Sequence, residues 1–430
     1  MENRRQFLGK TARAALAGGA LLGAGPLARS SAAGANDRIR IAVLGVRGRG
    51  ENHARAYAAM KDVEVAAICD PDRNVVPAVA KSVEELQGKK AEVLQDFRKV
   101  LDDSTVHAIS IATPDHWHAL ATILGCQAGK DVYVEKPCSH NMREGRLMVE
   151  AARKYKRVVQ HGTQSRSGET FHTALEFLRS GKLGKIRVAK AINSQLRADI
   201  GKKKDGEVPD GVDYDLWLGP APGRAFNPNR FHYNWHWFWD YGTGDLGNDG
   251  VHAVDYARWM LGVEDPLAVS ASGSKLFFDD DQETPDTQTV VFEFERCHLI
   301  FEQRIWTPYR EHGLENGVVL YGDGGSMELS PHGWRVTWKG DEPGPSGKPS
   351  ERSESHFRDF IDCMRTRKAP RADIHEGHLS TRLCHMGNIA TRVGRRLCFD
   401  AKTETFVGDE EANRLLWREP RQTFRIPDPI

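Results

Sequence analysis

The sequence predicts an α/β protein in two parts. A doubly wound parallel sheet comes first, then an α+β part built on a large, mostly antiparallel open sheet. From residue 36, short β-rich apolar runs alternate with helical patterns, the rhythm of strands joined by crossover helices. Past residue 161, β-rich runs follow one another without such helices, which suits an antiparallel sheet. The 430 residues are too many for one ordinary core and enough for two domains after a short leader. The boundaries so read are 1–35, 36–161 and 162–430.

Residues 1–35 read as an address, excluded from the fold. Asn3-Arg4-Arg5-Gln6-Phe7-Leu8 opens a weakly apolar stretch rich in Ala, Gly and Leu, and Ala33-Gly34-Ala35 offers a cleavage site before Asn36. The paired arginines with Phe-Leu behind them resemble a twin-arginine signal. An ordinary amphipathic start, or a general-secretion signal, explains less of that context. The expectation is a protein exported already folded, to the periplasm or otherwise outside the cytoplasm, with no membrane anchor once the leader is removed.

Ile39-Arg40-Ile41-Ala42-Val43-Leu44 is a buried first strand that runs into Gly45-Val46-Arg47-Gly48-Arg49-Gly50, with a helical stretch over 51–60. The second strand, 63–69, ends at Asp70; later strands lie at 106–111 and 131–134, and the last begins at Val158-Val159. A strand, a glycine turn, a helix, and an acid at the end of the next strand make a Rossmann-type dinucleotide-binding domain. Gly45 serves the tight turn, Gly50 the close approach of helix and strand, and N–H groups from Gly48 onward cradle a pyrophosphate. The fingerprint is imperfect, since Arg47 stands where a glycine is wanted. Arg47 and Arg49 either point into solvent or touch phosphate. Asp70 suits a ribose 2′-hydroxyl and repels a 2′-phosphate, which favours NAD over NADP, although Arg73 nearby softens that preference.

Ala112-Thr113-Pro114-Asp115-His116-Trp117-His118 follows one strand, and Tyr133-Val134-Glu135-Lys136-Pro137 closes the next. The pair resembles the T-P-x-x-x-H and E-K-P motifs of the glucose-fructose oxidoreductase / inositol dehydrogenase (Gfo/Idh/MocA) family, over nearly the whole chain after the leader. The resemblance implies that Lys136 lies beside the nicotinamide and handles a proton, with Thr113 and Pro114 lining the nicotinamide ribose. Glu135 and His118 belong to the same cofactor-facing motifs, although His118 also suits packing or capping the helix that follows. Oxidation of a carbinol needs a base on its oxygen, and a partly desolvated lysine near a cationic ring can serve. The bland alternative for Lys136 is a surface ion pair with Glu135.

In the second part a helical stretch over 169–178 leads to β-rich runs at 185–192, 269–277, 287–295 and 298–305. The densest chemistry lies in Arg230-Phe231-His232-Tyr233-Asn234-Trp235-His236-Trp237-Phe238-Trp239-Asp240 and runs on through Tyr241-Gly242-Thr243-Gly244-Asp245-Leu246-Gly247-Asn248-Asp249-Gly250-Val251-His252. Aromatic rings with interleaved polar groups suit a sugar, whose apolar faces stack while its hydroxyls hydrogen-bond. Arg230, His232, Trp235, His236 and Trp239 are therefore substrate-binding candidates, each tryptophan having a core plug as its alternative. His161, near the last strand of the first sheet, is a further candidate for the cleft. His252 opens a helical stretch and matches the histidine of the family's D-x-x-x-H segment. The family aspartate falls on Asn248, with the acid one residue later at Asp249. Either lysine and histidine manage the proton without it, or Asp249 replaces it. His232, His236 and His252 fit no common zinc spacing, so no metal is expected. His375, His378 and His385 read as structural or interfacial, residues 343–349 as a surface loop, and helical patterns at 355–365 and 379–392 as packing back on the sheet.

Lys+Arg 60 against Asp+Glu 59 gives no bulk attraction for nucleic acid or anionic membrane. The seven cysteines show no CxxC pair, so no disulfide is expected; Cys69 and Cys126 read as core residues. The expected ligand is a small carbohydrate, and the family resemblance implies a homo-oligomer formed through the open sheet. The expected activity is oxidation of a sugar or cyclitol carbinol with hydride passing to the nicotinamide, Lys136 and His252 handling the proton. A redox-neutral alternative uses the same groups to cleave a glycoside through a keto-sugar. Outside the cytoplasm no free NAD pool is maintained, so the cofactor must be tightly bound or recycled within a turnover. A non-catalytic sugar sensor is the remaining reading, suggested by Asn248 and Arg47.

Overall fold

The computed structural model describes residues 38–349, 353–427 and 430; the leader expected at 1–35 lies outside them. Six strands form the first sheet: β1 (Ile39–Leu44), β2 (Val63–Cys69), β3 (Glu92–Leu94), β4 (Ala108–Ile111), β5 (Asp131–Val134) and β6 (Val159–His161). Their order is β3-β2-β1-β4-β5-β6 and every pair is parallel. Both faces are covered, so β1, β2, β4 and β5 need apolar residues at consecutive positions rather than alternating ones. One face packs Ile109, Ile111, Val132 and Val134 against Ala121, Ile123 and Met148. The other packs Val43, Val65 and Ile68 against Tyr57, Phe357 and Phe360. The last two come from helix Ser353–Thr366, so the distal part of the chain completes the proximal core.

The second sheet has ten strands: β7 (Ile186–Ser194), β8 (Ala268–Ser274), β9 (Thr287–Glu293), β10 (His298–Arg304), β11 (Asn316–Gly322), β12 (Gly325–Ser330), β13 (Gly333–Trp338), β14 (Pro343–Gly347), β15 (Leu397–Asp400) and β16 (Thr405–Phe406). The order is β14-β13-β12-β11-β7-β10-β9-β8-β15-β16. Only the β7–β10 pair is parallel; the other ladders are antiparallel. Helices Val251–Leu261 and Ile374–Val393 cover one face, where Val254, Tyr256, Leu383 and Met386 meet Leu299, Phe301, Val318 and Leu320. The opposite face carries Lys190, Glu302, Arg304 and Glu311 as an ion-pair cluster. That alternation is what one covered face requires.

Residues 343–349, expected as a loop, contribute β14, the edge strand paired with β13. Proline is tolerated there because an edge strand leaves one row of N–H positions unpaired. The seven cysteines are free, six buried and Cys398 exposed. Among the described residues no helix is long and apolar enough to cross a membrane, and no cluster of His, Cys, Asp and Glu could hold a metal ion.

Candidate active site

In the first sheet the strand order reverses between β1 and β4, and ligands of such sheets bind in the crevice beyond the strand ends at that point. A cavity of about 570 Å³ opens there, running from the glycine turn to Lys136 and Asp249. Gly45 sits at φ +73°, and a Cβ on Gly50 would lie 1.7 Å from the Gly45 carbonyl oxygen. Only two glycines allow helix Arg49–Ala58 to start that close to β1, which sets its start, Gly48 and Arg49, in the cavity wall. Arg47 occupies the middle of the turn, is exposed, and lines the cavity.

Asp70 closes this end. Its carboxylate accepts from the N–H groups of Val46 and Asp72, each at 2.9 Å. Burial pushes its pKa up to about 6, against these two hydrogen bonds. Arg49 lines the cavity, but its Nε donates to Glu135 Oε1 at 2.9 Å. Glu135 Oε1 also receives His53 Nε2 and Gln164 Nε2, both at 3.0 Å. Burial would raise this carboxyl; Arg49 and His53 outweigh that and hold it well below the usual carboxylate range. His118 has its ring nitrogens 2.7 Å and 2.9 Å from the carbonyl oxygens of Pro137 and Thr113. It thus ties the two motif loops together while also lining the cavity with Thr113 and Pro114.

Lys136 does not pair with Glu135 through its ammonium. Its Nζ crosses to the second part of the chain and donates to Asn248 Oδ1 at 2.8 Å and Asn248 O at 2.9 Å, with Asp249 Oδ1 at 3.8 Å. Residues Leu246–Gly250 form a π-helical turn leading into helix Val251–Leu261. The wider turn inserts a residue relative to an α-helix, a device common at functional sites. It brings both Asn248 and Asp249 to Lys136, so the acid standing one residue late still reaches the lysine. Burial opposes the Asp249 charge, but Lys136 and Arg197 outweigh it and hold the carboxyl down to about 2. Arg197 Nη2 donates to Asp249 Oδ2 and, at 3.0 Å, to Asp245 Oδ1. Asn248 Nδ2 and Asn193 Nδ2 also donate to Asp245. Lys136, Asn248, Asp245, Arg197 and Asp249 therefore close a ring of hydrogen bonds and ion pairs.

The far wall is the segment between β7 and the π-turn. Leu216, Trp217, Phe231, His232, Tyr233, Trp235 and His236 line the cavity from it. This strap is stitched to the first part of the chain. Arg73 N–H donates to Gly211 O, Asp213 N–H to Pro71 O, and Trp117 Nε1 to Leu216 O. Trp235 stacks on His236 with ring centroids 3.6 Å apart, and burial lowers His236 to about 3, so its ring is neutral.

Several sequence candidates lie elsewhere. His232 reaches back to Asp72, Nε2 to Oδ2 at 3.1 Å, which places it at the Asp70 end rather than beside Lys136. Arg230 pairs with Asp205 at 2.7 Å in a separate small crater, because the chain turns there and carries its guanidinium away from the cavity. Trp239 lies under the Arg392 guanidinium, 5.2 Å from it, outside the lining. His161 is fully buried on β6 behind the cleft, and a side chain on Gly377 would collide with its ring. His252 follows the π-turn and does not line the cavity, although its charge acts on Asp249. Sequence reasoning missed Arg197, Asp245 and Asn193. Asp245 stood in the chemically dense segment and was legible in principle, whereas Arg197 carries no local signal.

Two family models match this chain. One, described as the oxidoreductase family's NAD-binding Rossmann fold, matches residues 39–163; the other, its C-terminal alpha/beta domain, matches residues 195–301 and 348–426. The chain is 25% identical over 230 residues to a levoglucosan dehydrogenase of Pseudarthrobacter phenanthrenivorans, covering 52% of this chain and 51% of that protein. It thus aligns with about half the length of that relative. It is 24% identical over 378 residues to a glycosyl hydrolase family 109 protein of Shewanella sp. (strain ANA-3), covering 79% of each. The solved structure of the WlbA dehydrogenase from Bordetella pertussis, in complex with NADH and UDP-GlcNAcA, superposes with a TM-score of 0.64 at 20% identity, covering 84% of this chain and 99% of that one.

Proposed function

The chain belongs to the Gfo/Idh/MocA oxidoreductase family with its NAD-binding Rossmann fold, and on that premise we propose that it oxidises a carbinol of a sugar or cyclitol. The observation that carries the proposal is the position of Lys136 Nζ, fixed by two oxygens of Asn248 at the end of a cavity whose other end is the glycine turn. NAD fits the residues present. Gly45, Gly48 and Gly50 leave room for a pyrophosphate against the helix start, Arg47 stands beside it, and Asp70 is an acceptor for ribose hydroxyls. Thr113 and Pro114 lie between that end and Lys136. When bound, NAD supplies the hydride acceptor.

The protein's own groups then account for the proton. Lys136 in its neutral form takes the hydroxyl proton at Nζ, and the ammonium produced is stabilised by Asp249 and by the Asn248 oxygens. His252, behind Asp249, is the second proton group of the proposal. Trp235, Tyr233 and His236 supply faces and polar edges for the sugar. A second reading is redox-neutral glycoside cleavage through a keto-sugar, with the same groups at work. It is supported by the family 109 relative, whose alignment spans more of this chain than that of the dehydrogenase.

The strap bears on how the cofactor is kept. Its bonds to residues 71–73 and the His232–Asp72 pair tie it to the first part of the chain beside Asp70, which supports a captive nucleotide. Denaturing the purified protein should release near-stoichiometric NAD or NADH, identified by chromatography and mass. A protein that purifies empty would contradict captivity and weaken the redox-neutral reading. Export by the twin-arginine route is part of the same proposal. Replacing both Arg4 and Arg5 by lysine should leave the protein in the cytoplasmic fraction, and unchanged export would remove that route.

A further inference from the structure

We propose that the site selects uncharged sugars and excludes sugar acids and sugar phosphates, because the cations at its substrate end are already held by carboxylates. The inference rests on the reading above that Lys136 marks the substrate end. Among the described residues, the lysines and arginines lining the cavity are Arg47, Arg49 and Lys136. Arg49 is paired with Glu135. Arg47 stands in the glycine turn, at the end that holds a pyrophosphate. Lys136 gives two of its N–H groups to Asn248 and faces Asp249, which leaves one N–H for a neutral acceptor.

Arg197, the other cation paired with Asp249, does not line the cavity and is engaged as well. Arg197 Nη2 is divided between Asp245 and Asp249, and its Nη1 donates to the Tyr233 hydroxyl at 3.1 Å. Arg230, the cation of the aromatic segment, points into the other crater and is paired with Asp205. His236 is a neutral ring, and His232 belongs to Asp72 at the far end. A carboxylate or phosphate arriving beside Lys136 would therefore meet Asp249 with no uncommitted positive charge to receive it. Like charges brought together out of water repel strongly, and desolvation of the anion goes unrecovered. A sugar hydroxyl has no such conflict. It can accept from Lys136 and donate to Asp249, which suits a group that is both donor and acceptor. Asp249 is thus the residue that sets the discrimination, a carboxylate facing the position where an acidic sugar would place its own.

The test measures binding by titration calorimetry on the full mature chain with its nucleotide. Glucose, galactose and N-acetylglucosamine are compared with glucuronate, galacturonate and glucose 6-phosphate. At least one neutral sugar should bind about tenfold or more tightly than its acidic counterpart, a preference that raised salt reduces. Asp249→Asn, of the same shape without the charge, leaves Lys136 without its counter-ion and Arg197 with Asp245 alone, and should improve binding of the acids by about tenfold relative to the neutral sugars. Asn248→Asp adds a carboxylate beside Lys136 and should sharpen the preference, which keeps the proposal testable should the first variant fold poorly. Equal binding of acids and neutral sugars, no binding of any neutral sugar, or an unchanged ratio in a folded variant would each overturn it. A neutral sugar that binds selectively without being oxidised or cleaved would sink the proposed reaction and leave the selectivity standing.

Discussion

Lys136→Ala is expected to lower kcat by about 10³- to 10⁴-fold while the nucleotide stays bound, the upper range for loss of a general acid–base group. The separation between chemistry and cofactor binding follows from geometry. Lys136 emerges from the end of β5, and its ammonium is engaged across the cavity by Asn248 and Asp249. The glycine turn and Asp70 lie at the other end, held by the Val46 and Asp72 N–H groups and untouched by the substitution. Nor should the fold suffer much, because Asp249 keeps Arg197 as a counter-ion after the lysine is removed. Nucleotide content per chain and unfolding temperature, measured beside turnover on a neutral sugar or glycoside, separate these effects. Turnover near the parent value with full nucleotide would remove Lys136 from the chemistry. Loss of the nucleotide along with turnover would instead recast the lysine as a binding residue.

What could be read in the sequence divides by the range of the interactions concerned. The first sheet was legible because burial on both faces leaves consecutive apolar residues in β1, β2, β4 and β5, a local signature. Lys136 was legible because the E-K-P motif and the strand before it are contiguous. The edge strands were not: β3 has exposed residues and only three positions, and β14 carries two prolines and two glycines that look like a loop. Arg230, His161 and Trp239 lie outside the cavity lining for a related reason. Residue type announces that a side chain suits a sugar, but the direction it takes depends on the turns of the strap and on Asp205, Gly377 and Arg392, none of them neighbours in sequence.

The ring around Lys136 is the sharpest case. Arg197 lies 48 positions from Asp245 and 52 from Asp249 and shares no motif with either, so only the fold brings them together. The shift from Asn248 to Asp249 looked like a departure from the family pattern. The π-helical turn gives it a physical account, since one inserted residue rotates the following acid toward the lysine. Such a turn has no reliable sequence mark, and Gly247 within it is needed for space: a Cβ there would lie 1.9 Å from Thr243 Oγ1.

Gly50→Ala should be the most damaging substitution in the first part of the chain, costing about 3 kcal/mol or more in stability as severe overpacking does, and removing nucleotide binding. The added methyl would sit 1.7 Å from the Gly45 carbonyl oxygen and 2.7 Å from its carbon, both main-chain atoms that cannot swing aside. Gly45 cannot retreat either. It holds φ +73°, and a Cβ on it would already lie 2.8 Å from the Ala112 carbonyl oxygen at the end of β4. The helix must then lift away from β1, and with it go the N–H groups that cradle the pyrophosphate. A control isolates this steric cause from a glycine's backbone freedom. Gly88 ends helix Val76–Gln87 in the left-handed conformation with nothing within 4 Å of its would-be Cβ, so Gly88→Ala should cost only about 1–2 kcal/mol and leave the nucleotide in place. Thermal unfolding and nucleotide content of the two variants decide the matter. Equal losses in both would mean that the turn is not set by the close approach of Gly50 to Gly45, and that Arg47 rather than the glycines governs its shape.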